Sequence, residues 1–157
     1  AKEGSQSADT IVDNNVMKMY SRMYAPWRND AVWFINQDVE EQLFTMAVSN
    51  WPVFLPGNSV TGAPSSTLFG RPVIATQHCE TVGDQDDILF CSMKQYALAV
   101  KSTGIEASSS VHLWFDQDAV AFKFRLRADG QPWMGSTISP RDGSNTLSAF
   151  VTLAVRA

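Results

Sequence analysis

His78 and Cys79 are the one place in this 157-residue chain where a base and a nucleophile adjoin. Thiolate catalysis needs imidazole and sulfur within hydrogen-bond reach, and neighbours on a strand point to opposite faces, so the pair is badly placed for it. A zinc ion would have to draw on His78, Cys79, Cys91 and His112, yet no C-x-x-C or H-x-x-x-H spacing supplies the local half-site such centres use. Asp84, Asp86 and Asp87 resemble a fragment of a calcium loop that lacks the later glycine and the closing bidentate glutamate. A solvated acidic turn is expected there. Glu40 and Glu41 fall at an expected helix start, where carboxylates favour the macrodipole and not acid–base chemistry. No glycine-rich phosphate loop, G-x-S-x-G elbow or H-E-x-x-H pair occurs. These absences point away from an enzyme, and neither a metal nor a cofactor is called for. The rival of that class is a small thiol enzyme using Cys79 with His78 or His112, which requires a thiol of depressed pKa.

A cationic ladder is the other chemical feature. Val120, Phe122, Phe124 and Leu126 alternate with Ala121, Lys123, Arg125 and Arg127, after which Asp129-Gly130 closes the run. Period-two alternation predicts a half-buried strand ending in a turn, with the cations about 6.5 Å apart on one face. Such a face suits an acidic partner or a neighbouring subunit, and Lys123, Arg125 and Arg127 are candidate interface residues.

The elements that position these groups follow from pattern. Residues 1–10 read as a flexible lead-in. Thr10 with Asp13 three residues on predicts a capping box, and Val12, Val16, Met19 and Met23 then form an apolar stripe on a helix running to about Tyr24 and ended by Pro26. Ala31 to Asn36 is a continuous apolar run, expected as a strand buried on both faces and covered by helices. Asp38 with Glu41 predicts a second helix carrying Val39, Leu43, Met46 and Ala47 on one side. Residues 50–66, rich in Pro, Gly and Ser, predict a long loop, with Trp51 and Phe54 as candidate contacts. Strands are expected at 71–76, 88–93, 95–100 and 150–155. The Ser-rich stretch 102–110 is expected to mark a crossing between two lobes.

Composition fits a folded building block: 45% apolar and 18% charged residues, with five Trp and nine Phe. Aromatics beyond the needs of a core often serve interfaces. A net charge of −4 and a pI near 5.0 argue against binding nucleic acid by phosphate neutralisation. No apolar run reaches membrane-spanning length and the polar start lacks the core of a signal peptide, so the chain is expected to be soluble and intracellular. Two cysteines are too few for a disulfide framework and are expected as reduced, packed thiols.

Four stretches then carry a family resemblance. They are Ala31-Val32-Trp33-Phe34-Ile35-Asn36-Gln37-Asp38-Val39-Glu40, the run Leu68-Phe69-Gly70-Arg71-Pro72-Val73-Ile74 after a Pro/Gly-rich loop, Val120 to Trp133, and Gly143-Ser144-Asn145-Thr146-Leu147-Ser148. In this order they resemble the major capsid protein of tailed bacteriophages and prophages, of the Hong Kong 97 type. The resemblance implies an α+β fold of mixed sheets with flanking helices, with residues 11–103 mainly axial-domain-like and 104–157 mainly β and peripheral-domain-like. It implies the strands at 119–128 and 149–156 in the peripheral part. The chain is short for that family: the N-terminal arm, the clasping loop and the spine helix are expected ahead of Ala1, which makes it the C-terminal half. The implied function is a structural subunit assembling into pentamers and hexamers that enclose DNA. Its implied partners are copies of itself, with scaffolding, portal and decoration proteins, DNA as a weakly contacted content, and no membrane. The implied location is the virion capsid, assembled in the host cytoplasm. Trp133 and Arg141 join the candidate contacts. A cellular nanocompartment shell protein of the same fold is the alternative.

Overall fold

The structure, a computed structural model, describes residues 2–48, 51–52, 54–55, 66–101 and 104–156, with the backbone alone at 47–48, 51–52 and 54–55. Helix α1 spans Asp13–Arg22, strand β1 Ala31–Ile35, helix α2 Val39–Thr45, β2 Ala47–Val48, β3 Trp51–Pro52, β4 Phe54–Leu55, β5 Thr67–Leu68, β6 Arg71–Ala75 and β7 Ile88–Ser92. The chain continues with β8 over Tyr96–Val100, β9 over Glu106–Trp114, β10 over Ala119–Arg125, β11 over Ala128–Pro132 and β12 over Phe150–Thr152. It divides into two compact units, residues 1–95 with 134–157 and residues 96–133. The division therefore does not fall near residue 103, and it leaves β12 with the first unit.

In the first unit a six-stranded sheet has the order β12-β7-β1-β6-β5-β4. β1 pairs parallel with β6 and antiparallel with β7. Ala31, Trp33 and Ile35 are buried while Val32 and Phe34 are half-buried. The expectation of a strand buried on both faces is thus corrected. Both helices feed one cluster, in which Val16, Met19 and Met23 of the α1 stripe and Val39 and Leu43 of α2 join Trp33, Ile35, Ile88 and Phe90. A helical layer on one side of the sheet needs only one apolar face per strand. Trp33 stacks on its cross-strand partner Phe90 with ring centroids 4.0 Å apart, and its indole N–H donates to the Leu68 carbonyl at 3.0 Å.

Helix α1 begins at Asp13 with Val12 as its cap, two residues later than the Thr10 cap predicts. The Thr10 hydroxyl donates instead to the Ser7 carbonyl at 2.9 Å. The backbone N–H of Val12 donates to the Asn15 side chain at 3.1 Å, and the buried Asn15 also accepts from Gln6 at 2.8 Å. These bonds, with Asp9 N–H donating to Arg156 O at 3.3 Å, anchor what reads in sequence as a loose lead-in.

Asp87 is likewise not part of a solvated turn. It is fully buried, as is Arg156, and the guanidinium pairs with both its oxygens. Arg156 also donates to the carbonyls of Thr10 at 2.8 Å and Ala154 at 3.1 Å, while Asp87 accepts from the Gly83 N–H at 3.1 Å. The closing segment of the chain is thereby tied to its first residues and to the 83–87 turn.

The second unit consists of two ribbons, β9 with β10 and β8 with β11. Asp129 and Gly130 lie inside β11, in register with Ala99 and Leu98, and do not form the turn that sequence predicts. Gly130 is required there, since a Cβ would come within 2.5 Å of the Tyr96 ring. Tyr96 pairs with Pro132, so its ring lies along the diagonal over Gly130, the place where an aromatic covers a strand glycine.

Candidate assembly surface

Lys123 and Arg125 stand on the polar face of the β9–β10 ribbon. Antiparallel register sets Lys123 opposite Ser108 and Arg125 opposite Glu106. Arg127 lies past the end of β10, so the strand itself carries two cations of the expected three. Among the described residues no salt bridge reaches Lys123, Arg125 or Arg127, and Glu106 pairs with Lys101. All three cations are exposed.

The opposite face is apolar. Phe122 faces Ser109 and Phe124 faces Ala107 across the ladder, partners too small to cover an aromatic ring. Beyond them Val111 and Leu113 of β9 and Val120 of β10, where the ladder register shifts between Ala119 and Ala121, are exposed as well. The half-buried strand that sequence predicts is corrected: Phe122 is 70% exposed, Phe124 71% and Leu113 66%. A two-stranded ribbon has no second layer of its own, so its apolar side can be covered only by something else. Strand β9 itself lies where the sequence suggests a Ser-rich crossing. Its small residues Ser108, Ser109 and Ala107 give no alternation to read, although they fit beneath the bulky residues of β10.

The remaining candidates are scattered. Trp133 ends the second unit and Arg141 belongs to the first, and both are exposed. Trp51 and Phe54 start the short strands β3 and β4. Most of the expected loop around them, residue 53 and residues 56–65, lies outside the described residues.

Nothing in the thiol chemistry suits a nucleophile. Burial, then the charges of Asp87 and Asp86, push the Cys79 thiol up, and burial, then Cys79 and Asp86, push Cys91 up to about 12. An activated thiol needs the reverse shift. His78 is exposed while Cys79 is buried. Among the described residues no three His, Cys, Asp or Glu side chains gather to hold a metal ion, and no helix is long and apolar enough to cross a membrane.

Comparison with known proteins adds two findings. A family model described as the phage capsid family matches residues 1–138. Among solved structures the chain is similar to one titled the capsid of an empty GTA particle computed with C5 symmetry, with a TM-score of 0.65 and 16% identity over 100% of this chain and 48% of that one. This chain therefore spans about half the length of that relative. At such identity the likeness is one of fold. No curated protein matches.

Proposed function

The chain belongs to the phage capsid family, and from that premise we propose that it is a structural subunit of an icosahedral phage or prophage shell, acting by repeated contact and not by turnover. Its α+β fold, with mixed sheets and flanking helices, is the capsid fold of the Hong Kong 97 type. The observation that carries the functional reading is the uncovered apolar side of the β9–β10 ribbon, where Phe122 and Phe124 are exposed, with Val111, Leu113 and Val120 exposed beyond them. Soluble monomers rarely display so contiguous an apolar face, and a closed assembly supplies the missing layer from a neighbour.

On this reading Lys123, Arg125 and Arg127 flank the contact and set its register through charge, since rim charges govern orientation and partner choice more than affinity. Trp133, Arg141, Trp51 and Phe54 are further contacts. The six-stranded sheet with α1 and α2 is the axial part, and the ribbons of 96–133 are the peripheral part along the capsomer edge. Copies of the chain form pentamers and hexamers around DNA in the host cytoplasm, with scaffolding, portal and decoration proteins as additional partners. The acidic balance of −4 suits a wall that does not grip phosphates.

The test is electron microscopy and sedimentation of the product of the whole open reading frame that contains this sequence, beside its Phe122→Ser/Phe124→Ser variant. Closed shells that the variant cannot form, with its circular dichroism unchanged, are expected. A product that sediments as a compact monomer at every concentration overturns the proposal.

A further inference from the structure

The β9–β10 ribbon ends in an aromatic, acidic tip. Trp114 is the last residue of β9, a single 3-10 turn covers Phe115–Gln117, and Ala119 pairs back on Trp114. Asp118 closes the turn in the left-handed region at φ 50°, its N–H donating to Phe115 O at 3.4 Å. Phe115 is 80% exposed, and Leu113 and Trp114 beside it are exposed as well. Asp116 and Asp118 follow the ring, both exposed, and among the described residues no salt bridge reaches either. A bare ring with two such carboxylates serves neither a core nor the ladder.

A hollow of opposite character lies in the first unit. A cleft of about 640 Å³ opens between α1 and the segment 145–153, large enough for a turn bearing one or two rings. Its cations are Lys2, Lys18 and Arg22 against one carboxylate, Glu3, which pairs with Lys18 at 2.6 Å. Arg22 is exposed and donates to the Thr146 hydroxyl at 3.4 Å, and no salt bridge reaches it among the described residues. Met19 and Phe150 contribute apolar lining.

We propose that the ribbon tip of one copy docks in this cleft of a second copy, with Phe115 against Met19 and Phe150 and the carboxylates of Asp116 and Asp118 against Arg22 and Lys18. Charge selects the occupant. In a chain of net charge −4, a hollow with three cations to one carboxylate favours an anionic partner, and the tip is anionic. The same two carboxylates argue against a lipid surface, whose anionic headgroups would repel them. Methionine adapts its shape to an incoming ring and makes favourable sulfur–aromatic contact. Tip and cleft are different patches, so the contact is heterologous, the type that closes into rings when its rotation permits. It rests on the subunit reading and names one contact between copies, separate from the apolar side of the ribbon.

Complementation between variants of the whole chain tests it by sedimentation, in the Phe122→Ser/Phe124→Ser background that silences the ribbon side. Phe115→Ser removes the tip ring and Thr152→Trp fills the cleft from its exposed lining residue. Each alone should lower self-association by about tenfold or more, the scale of one buried aromatic ring. Mixed one to one they should regain a dimer and stop there, because one intact tip and one intact cleft remain. Asp116→Arg should weaken the contact about two- to fivefold at low salt, and Arg22→Glu in the same chain should restore it. Both positions are exposed, so circular dichroism should not change; should Thr152→Trp unfold the protein, this charge exchange decides. A mixture that stays monomeric up to millimolar, or association indifferent to Phe115→Ser, overturns the proposal. If the whole reading frame still forms shells, the subunit reading survives that result. A mixture that dimerises while the reading frame forms no shell keeps the contact and removes the shell.

Discussion

Arg156→Met should be among the most damaging single substitutions in the first unit. The side chain is fully buried and its guanidinium satisfies three groups: both oxygens of Asp87, the Thr10 carbonyl at 2.8 Å and the Ala154 carbonyl at 3.1 Å. Methionine fills much of the same volume and supplies no donor. Asp87 would then keep a single donor, the Gly83 N–H, for a carboxylate held entirely out of water. Breaking a buried pair in this way costs about 3–5 kcal/mol, a large part of the roughly 5–15 kcal/mol that holds a typical domain together. At about 2–4 °C per kcal/mol for a chain of this size, the melting temperature should fall by roughly 6–20 °C. Urea denaturation followed by tryptophan fluorescence and circular dichroism measures this, and the loss should change little with salt because the pair is not solvated. Asp87→Leu alone should cost a comparable amount by stranding the guanidinium. The double variant removes both charges and should cost less than the sum of the singles, by about 1–3 kcal/mol of coupling. An Arg156→Met loss below about 1 kcal/mol, or strictly additive singles, would refute a tightly coupled buried pair.

Other expectations follow from the same geometry. Phe122→Ser with Phe124→Ser should leave the unfolding midpoint of the isolated chain unchanged, because both rings are already about 70% exposed, and should weaken self-association by about 2–4 kcal/mol per contact as read by sedimentation. Trp33→Ala removes the stack on Phe90 and the bond to Leu68, so a loss of about 3–5 kcal/mol is expected in chemical denaturation. Tyr96→Ala uncovers Gly130 and should loosen the β8–β11 ribbon by about 0.2–1 kcal/mol, visible as faster amide exchange across that pair alone. The raised Cys91 pKa has a pH signature. The folded state keeps its proton longer than the unfolded one, so the contribution is complete below the ordinary value of 9.0 and is lost as pH rises towards about 12. Cys91→Ala should flatten that alkaline decline in a pH series of urea midpoints.

Much of the first unit could be read from the sequence because its signals are local. The four-three-four spacing of Val12, Val16, Met19 and Met23 needs only the helical period, and β6 and β7 fall within a residue of their expected ends, as does β8 in the second unit. The misses share a cause. Asp87 looked solvated because its partner Arg156 lies 69 residues away, and no local pattern marks such a pair. The strand buried on both faces proved one-sided because an apolar run carries no information on how many layers will cover it.

The second unit makes the same point in reverse. Alternation from Val120 to Arg127 specifies that one side of β10 is apolar, and it does so correctly; it cannot specify what lies against that side. In a self-contained domain the cover is another stretch of the same chain, so a two-sided strand is read as half-buried by default. Here the ladder partners are serine and alanine and the ribbon has two strands, so apolar residues selected for burial stand in the open. A β-branched and aromatic face left in that state would be a liability for aggregation in a free monomer. It is consistent with a chain whose packing is completed between copies, where the same alternation that shapes the strand also writes the contact.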